Sequence, residues 1–452
     1  MNATYLVKIA VVAALLLLLA VPVNMIQGLV AERQARRNEV VTGIADGWGK
    51  QQTVAGPYLV VPYEWSYTEV KRETIAGKLN ETSVEHKGGD VIYVPATSVE
   101  WTVDADITEK ARGIYKARLY GAKLSAQGTI EPPLRADYEQ PGRRYKWGTP
   151  RLVVGVSDPG GIRGAREVVV AERARTFEPG THDAALTAGV HVPLPDLKLA
   201  SKEPVAFSFT LELGGSEAIA LAPLGADARV AMRADWPHPS FQGRFLPARH
   251  EIGDSGFSAT WQISRFAQSS AGARCALPCA RLNEQVFVSF VEPANAYQRL
   301  ERASKYGFLF LGLTFAAIIL IELLRRVAVH PVQYALVGLA LAIFVLLLTA
   351  LSEHIAFAHA YAIAAGACVG LITVYLVRVL HSPLIGCGVG AALGGLYGML
   401  YMLLQAEDYS LLGGTLLLFA LLAAVMLATR KVDWYALTSR PARAPVPPAA
   451  QA

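Results

Sequence analysis

This chain of 452 residues lacks the motifs that would indicate a particular chemistry. It contains no Gly-x-Ser-x-Gly elbow, no His-Glu-x-x-His zinc motif, no Walker loop and no dinucleotide-binding glycine fingerprint. Gly155-Val156-Ser157-Asp158 lacks the second glycine of a serine elbow and is typical of a strand that ends in a turn. The 9 histidines are scattered without the spacing of metal ligands. We therefore predict no catalytic, cofactor-binding or metal-ligating residue, and we expect neither a cofactor nor an enzymatic activity.

Net charge of one sign is also missing from the long middle of the chain. Charged residues make up 17% of the sequence and hydrophobic residues 53%, which is an apolar balance for a soluble protein. Residues 31–304 contain 33 Lys and Arg against 32 Asp and Glu, so this stretch is close to neutral. Because a nucleic-acid partner requires a basic face, we expect no such partner.

Cysteine is scarce, with 4 residues in the whole chain. Cys368 and Cys387 fall inside apolar runs, where a buried free thiol behaves as a small hydrophobic group. Cys275 and Cys279 lie outside these runs and are too few for a structural zinc site. In an oxidising compartment they would form a local disulfide that braces a loop, with two free thiols as the alternative.

The sequence has instead six long apolar runs, one at its start and five in close succession near its end. The first extends from about Val7 to Val30, and the others lie between residues 306 and 428. A hydrocarbon core of roughly 30 Å requires about 20 apolar residues per helix, and each run is near this length. We therefore predict six transmembrane helices in a lipid bilayer. Glycines recur every four residues in the fifth run, which favours close helix packing over a hinge.

The charges between the apolar runs alternate in sign. Basic residues follow the second, fourth and sixth runs, namely Arg325 with Arg326, Arg378 with His381, and Arg430 with Lys431. Acidic gaps follow the third and fifth runs, namely Ser352-Glu353-His354 and Gln405-Ala406-Glu407-Asp408. The positive-inside rule then places both termini in the cytoplasm and the long middle stretch outside. We expect the first run to be an uncleaved anchor that Glu32 to Arg37 continue as one helix, with a cleaved signal peptide as the alternative.

The middle stretch predicts β-structure almost throughout. Apolar and polar residues alternate strictly in three segments, which begin at Val99, Val205 and Phe257. Further strands are predicted at Tyr58 to Tyr63, Ile114 to Leu119, Leu152 to Val156, Val168 to Ala171 and Val286 to Val291. Many short strands punctuated by Gly, Pro and Asp favour a large antiparallel sandwich. Tyr297 to Lys305 then leads helically into the second apolar run.

Short patches along nearly the whole chain resemble the CreD family of inner-membrane proteins. The patches are Trp48-Gly49, Gly56-Pro57-Tyr58-Leu59-Val60-Val61-Pro62-Tyr63, Arg112-Gly113-Ile114-Tyr115, Trp236-Pro237-His238-Pro239-Ser240-Phe241, Gly243, Phe245-Leu246-Pro247, Lys305-Tyr306-Gly307, His330-Pro331-Val332-Gln333-Tyr334, Leu351-Ser352-Glu353-His354-Ile355, Leu404-Gln405-Ala406-Glu407-Asp408-Tyr409 and Val432-Asp433-Trp434-Tyr435. The resemblance implies a Gram-negative inner-membrane protein linked to cell-envelope integrity, stress and colicin tolerance, and a two-component regulon. It implies no reaction that any residue here would carry out.

The expected fold class is therefore a membrane protein of α plus β type. A large all-β, sandwich-like periplasmic domain is inserted between one N-terminal and five C-terminal transmembrane helices. The predicted domains are an anchor at 1–30, the periplasmic β-rich domain at 31–304, a five-helix transmembrane domain at 305–430 and a cytoplasmic tail at 431–452.

Three functional hypotheses follow. In the first, the periplasmic domain binds an unidentified envelope component or partner without catalysis. The second is a periplasmic hydrolase or sugar-modifying enzyme, which needs two converging carboxylates, for example among Asp158, Glu178, Asp235 and Glu251. The third is a transporter or channel, which the lack of acidic or basic residues at mid-depth in the helices argues against. Glu322, near the end of the second run, is expected to snorkel or to pair with Arg325 or Arg326.

The orientation is testable with reporter fusions. Alkaline phosphatase fused at Ser157 should be active, because this enzyme folds only outside the cytoplasm, and a fusion at Ser439 should be inactive. Activity at Ser439, or its absence at Ser157, would overturn the predicted topology.

Overall fold

The computed structural model describes residues 3–75, 78–182, 186, 188–267, 284–290, 296–325, 329–405 and 410–430. The chain divides into two compact units, Met1–Arg37 with Ala294–Ala452 and Asn38–Pro293, which we call the membrane unit and the β-unit. The predicted boundaries at residues 30 and 304 both fall inside helices. Cys275, Cys279 and the predicted tail at 431–452 lie outside the described residues.

Six helices correspond to the six predicted runs. They are α1 (Ala3–Trp48), α2 (Ala296–Arg325), α3 (Pro331–Ser352), α4 (Phe357–Val379), α5 (Pro383–Gln405) and α6 (Ser410–Thr429). Among the described residues, α1 to α5 are long and apolar enough to span a membrane, and α6 is an apolar helix of 20 residues. The 46 residues of α1 span about 69 Å, so the helix extends far beyond one hydrocarbon core, as its polar continuation predicted.

Local sequence explains two features of the membrane unit. His330 caps α3 by accepting a hydrogen bond from the Val332 amide, while the Gln333 side chain accepts one from the His330 amide, which forms a capping box. In α5, a β-carbon at Gly386 or Gly390 would collide with Val377 or Thr373 of α4. Close helix packing is therefore confirmed at these two glycines. Cys368 is buried as expected, whereas Cys387 is exposed on the surface of α5.

The β-unit contains sixteen strands among the described residues. They are β1 (Gln52–Ile75), β2 (Lys78–Arg112), β3 (Tyr115–Ile130), β4 (Arg144–Trp147), β5 (Arg151–Val156), β6 (Ile162–Val170), β7 (Arg173–Arg175), β8 (Glu178–Pro179), β9 (Gly189–Pro193), β10 (Val205–Ser216), β11 (Ala218–Pro223), β12 (Gly225–Ala234), β13 (Pro239–Gly243), β14 (Arg249–Gly253), β15 (Gly256–Ile263) and β16 (Val286–Phe290).

The strands form two hydrogen-bonded groups that share β2. The first part of β2 pairs with β1 as far as Pro95, and the second part pairs with β3 and β12 from Ala96 onward. The prediction of a purely antiparallel arrangement was wrong, because β1 pairs with β11 and β2 pairs with β12 in parallel. Such pairing between strands distant in sequence leaves no local signal. Phe241 of one group contacts the rings of Phe257 and Trp261 of the other.

The alternating segments supply the core as predicted. Val99, Trp101 and Val103 of β2 are buried, while Thr102 and Asp104 are exposed. The same alternation buries Phe207 and Phe209 of β10 and the apolar positions of β15. The ring of Trp101 lies edge-on to Phe209 at 5.6 Å between centroids, a geometry that adds about 0.5–1.5 kcal/mol to the burial itself.

The segment that joins α1 to β1 is held by hydrogen bonds and by close backbone packing within the β-unit; we call this segment the junction. The buried Gln52 amide donates to the carbonyl oxygens of Asp158 and Gly214, both at 3.1 Å. The Trp48 indole donates to the Tyr120 carbonyl at 3.0 Å. Gly49 has φ +143°, and a β-carbon there would collide with the Gly214 carbonyl. The close approach of the Gly214 backbone therefore explains why a glycine follows Trp48.

Gly49→Ala is expected to destabilise the β-unit. The substitution combines a backbone conformation that disfavours a side chain with a collision against backbone, so the thermal midpoint of the full-length protein in detergent should fall by about 5–10 °C. Gly47→Ala is the matched control, because no atom lies within 4 Å of a β-carbon there and position 47 is helical. A midpoint for Gly49→Ala that equals the control would contradict the proposed role of the junction.

Candidate functional site

A half-buried cluster of aromatic rings lies on one face of β1, β2 and β4. We call this cluster the aromatic face; it consists of Tyr63, Trp65, Tyr67, His86, Tyr145 and Trp147. All six side chains are half-buried. The sequence analysis recognised Tyr63 as the end of a strand and missed the other five. The available signal was the alternation of aromatic residues at Tyr63, Trp65 and Tyr67 and again at Tyr145 and Trp147.

Strand register explains why these rings share one face. Tyr63 pairs with Trp147 and Trp65 with Tyr145 across β1 and β4, while Tyr67 pairs with His86 across β1 and β2. Side chains at directly opposed positions point to the same side of a sheet, and positions two apart on one strand do so as well. The six rings therefore form one continuous patch.

The rings lie close together with similar orientations. Trp65 and Tyr67 are stacked at 6.0 Å with planes 18° apart, and Tyr67 and His86 at 4.8 Å with planes 18° apart. Tyr145 and Trp147 are stacked at 6.4 Å with planes 23° apart. Rings that are nearly parallel at these separations lie partly against one another, so they form a packed apolar cluster.

A glycine allows the Trp65 ring to lie against the neighbouring strand. Gly88 is paired with Trp65, and a β-carbon there would approach the indole Cε2 atom to 2.6 Å. Any larger residue at position 88 would therefore push the indole away from the strand.

Positive charge lies directly over this apolar surface. The Arg143 guanidinium carbon is 4.4 Å from the Trp65 ring centroid and 5.3 Å from that of Tyr67. Arg135 lies 5.8 Å from the Trp147 ring centroid. Within the described part of the chain, neither arginine has a carboxylate within 4.0 Å. Each stacked cation contributes about 0.5–1 kcal/mol at such an exposed site and keeps its N–H groups available.

A concave surface lies on the strand group that contains β3, β10 and β12. This polar trough has a volume of about 880 Å³ and a lining dominated by hydroxyl, amide and charged side chains. Its polar lining residues are Ser98, Glu100, Gln127, Thr129, Glu172, Ser208, Asp227, Arg229, Gln262 and Ser264. Most of these are polar outward positions of a sheet face, which any solvated sheet would show.

Several polar groups of the trough are already hydrogen-bonded, to one another or to the adjacent Arg265. The Gln127 amide donates to Glu100 at 3.0 Å, and Ser98 and Thr129 hydroxyls lie 3.0 Å apart. Hydrogen bonds from Arg265 lower the pKa of the Asp227 carboxyl, so this contact persists as the pH falls until that lowered pKa is reached. The trough is therefore a weaker candidate than the aromatic face.

The four carboxylates considered for catalysis occupy separate local environments. Asp158 accepts hydrogen bonds from the Lys50 and Gly160 amides, and Asp235 accepts one from the Ile107 amide at 2.6 Å. Glu178 lies 3.4 Å from the buried His191 ring, and Glu251 is exposed on β14. Among the described residues, no hydrogen bond or ion pair joins any two of these four carboxylates. Asp158 and Asp235 thus hold backbone in place.

His238 lies at the surface of the β-unit, with its ring edge-on to Trp236 at 6.3 Å between centroids. Its carbonyl accepts a hydrogen bond from the Trp236 indole at 3.0 Å, and the Arg118 guanidinium carbon lies 4.6 Å from the Trp236 ring centroid. Phe241 joins this patch to the core through the rings of Phe257 and Trp261.

The polar residues of the membrane unit have structural partners. The Tyr334 hydroxyl donates to the Glu322 carboxylate at 2.9 Å, a partner from α3 that the sequence analysis did not anticipate. The partners expected for Glu322 were Arg325 and Arg326; Arg326 and the side chain of Arg325 lie outside the described residues. Arg33 of α1 lies 3.7 Å from Glu353. Thr314 and Thr349 donate to carbonyls of their own helices. These contacts favour packing over a polar path.

The described part of the chain contains no candidate metal site. No group of three or more His, Cys, Asp and Glu side chains there is arranged to hold an ion. His354 lies in the turn before α4 and His359 in its first turn, and both side chains are exposed.

Together, the apolar helices and the sixteen-stranded β-unit define a multi-pass membrane protein with a large β-domain. The sequence model of the family described as "Inner membrane protein CreD" matches residues 4–435. The chain is 34% identical over 427 residues to the "Inner membrane protein CreD" of Escherichia coli strain K12, covering 93% of this chain and 92% of that protein. The chain therefore belongs to the CreD family of inner-membrane proteins.

Comparison with solved structures adds no functional argument. Crystal structures of M1 zinc metallopeptidase variants, one with bound L-tryptophan and one from Deinococcus radiodurans with a bound Tyr-Ser-Ala substrate, are similar over 43% of this chain and 42% of those chains. The sequence identity is 10% and the TM-score 0.21 in both cases. A TM-score this low carries no inference about fold or activity.

Gly88→Ala is expected to displace the Trp65 ring. In protein labelled with fluorotryptophan, the resonance of Trp65, assigned with Trp65→Phe, should shift because the added methyl group occupies the space of the indole. Gly121→Ala is the matched control, since a β-carbon there meets nothing within 4 Å. An unmoved Trp65 resonance in Gly88→Ala would show that the ring does not rest on this strand.

Proposed function

We propose that this protein supports cell-envelope integrity by holding a non-enzymatic binding domain on the periplasmic side of the inner membrane. The observation that carries the proposal is the aromatic face, a half-buried apolar cluster with cations over it on an otherwise neutral β-unit. Tyr63 and Trp147 also pack against the core, but the cluster continues past it to Trp65 and Tyr67, and partly exposed rings that gather on one face in this way mark a recognition surface. The β-unit is then the binding element and the helices are its anchor.

The periplasmic position of the β-unit rests on charge. Basic residues follow α2, α4 and α6, whereas acidic residues follow α3 and α5. The contact between Arg33 and Glu353 agrees with the predicted order of crossings, because it brings the polar continuation of α1 to the same end of the membrane unit as the acidic gap after α3. A cytoplasmic Glu353 would require the polar part of α1 to be cytoplasmic too.

A binding role fits the chemistry of the β-unit better than catalysis does. A glycoside hydrolase needs a proton donor and a second carboxylate facing one substrate bond. Asp158 and Asp235 each accept hydrogen bonds from backbone amides, which is a structural role and gives no sign of a shared substrate bond. Tolerance to stress and to colicins is the role that membership of the CreD family suggests for such a binding protein.

Removal of the β-unit should abolish the function while the helices remain. A chain in which residues 50–293 are replaced by a short Gly/Ser linker should insert in the membrane but should fail to restore colicin tolerance in a strain that lacks the protein. The matched control is the full-length chain with Phe266→Ala, an exposed ring 93% accessible to solvent outside the aromatic face, which should restore tolerance fully.

Expression and membrane insertion of both chains are measured in parallel by quantitative immunoblotting. Full tolerance conferred by the helices alone would refute the assignment of the role to the β-unit.

A further inference from the structure

We infer that two copies of this chain pair through the free edge of β14, strand against antiparallel strand, around a twofold axis at His250. The inference goes beyond the proposed function, because it names a second copy of this chain as a partner of the β-unit. Three properties of β14 carry it, namely an unpaired backbone edge, exposed side chains on its inward face, and charges that complement those of a second copy.

One edge of β14 has no neighbouring strand among the described residues. The strand pairs with β15 on its other side, and all of its residues are exposed. A two-residue turn joins β14 to β15, so the glycines that flank it, Gly253 and Gly256, form a hydrogen-bonded pair. Hydrogen-bonded and non-hydrogen-bonded pairs alternate along a hairpin, which turns the backbone N–H and C=O groups of His250 and Ile252 towards the free edge.

The inward face of β14 is exposed as well. Ile252 lies opposite Phe257 of β15, and His250 lies opposite Ala259. Directly opposed side chains share a face, so both residues point to the side on which β15 contributes buried residues. Ile252 is nevertheless 51% exposed. A further strand beside β14 would cover this side chain, which favours a partner that extends the sheet.

The charges of β14 complement a second copy of the same strand. Arg249 and Glu251 lie on its outward face, and among the described residues neither has an oppositely charged group within 4.0 Å. In an antiparallel pair centred on His250, Arg249 lies opposite Glu251 of the second copy, and the reverse contact forms by symmetry. Opposite charges at opposed positions stabilise a strand pair, whereas like charges at an edge prevent pairing.

The backbone and the charges select the same register. A pair centred between two residues would set outward-facing N–H groups against inward-facing ones and form no ladder. A pair centred on Arg249 or on Glu251 would oppose like charges at the axis. Centring on His250 joins outward-facing groups of both copies and brings Ile252 opposite Ala248 of the second copy. Such self-complementary pairing closes at two copies.

Anchoring in a membrane makes so short an edge sufficient. A strand of 5 residues buries little surface, and a dimer held by it alone in dilute solution would be weak. The transmembrane helices hold both copies in one bilayer, which raises the effective concentration of each β14 near the other. The pairing is therefore expected in the membrane.

The first test is charge reversal in two differently tagged full-length copies, co-expressed, crosslinked in the membrane with formaldehyde and then co-purified. Arg249→Glu in both copies should lower co-purification about tenfold, because two opposed pairs become like-charged, and Glu251→Arg in both copies should do the same. One copy with Arg249→Glu and one with Glu251→Arg should co-purify as the unaltered copies do, because every opposed pair again has opposite signs. Lys110→Glu, at an exposed position outside β14, is the matched control.

The second test places a thiol on the twofold axis. In a chain whose 4 native cysteines are replaced by Ser, His250→Cys should form a disulfide between copies when membranes are mildly oxidised. The Cα atoms of a hydrogen-bonded antiparallel pair are about 5.5 Å apart, which a disulfide spans. Thr260→Cys, at an exposed position on β15 behind β14, should form none.

Four outcomes would overturn the inference. They are no co-purification of unaltered copies, equal co-purification of Arg249→Glu and Lys110→Glu, failure of the mixed pair to recover, and a disulfide of His250→Cys to another protein in place of a second copy. Thermal midpoints establish that each variant is folded. Recovery in the mixed pair also separates a lost contact from a misfolded chain, because each variant alone carries the same substitution.

Discussion

The β-unit depends on one continuous strand, β2, whose two parts belong to different strand groups. Its first part pairs with β1 and its second part with β3 and β12. A backbone shared in this way transmits any displacement of one group to the other, because every hydrogen bond of the shared strand is directional and its loss in a buried setting is costly. The fully buried Ala96 marks the change of partners, and its amide donates to the Leu224 carbonyl.

The same strand also creates the exposed surface. β1 and β2 remain paired where they extend past the core. Trp65 and Tyr67 continue the alternation of the core residues there but are only half-buried. Gly88 lies against Trp65 from the neighbouring strand, and the Arg143 guanidinium lies over the rings of Trp65 and Tyr67.

Sequence patterns predicted the elements of this protein better than its site. The alternation around Val99, Val205 and Phe257 predicted buried strands, and the polar stretch after Val30 predicted one long first helix, because both follow from local periodicity. The aromatic face escaped prediction because alternating aromatic residues equally indicate a core strand. The Glu322–Tyr334 hydrogen bond escaped it because it joins two helices across a turn.

By itself the sequence determined where the chain is helical and apolar, where it alternates, and which family it belongs to, since these properties reside in consecutive residues. Only the tertiary structure decided that β1 and β2 each pair in parallel with a later strand, that Asp158 and Asp235 hold backbone, and that six rings and Arg143 meet on one open face. The physical reason is that register between distant strands sets which side chains share a face, and register is fixed by the packing of the whole core.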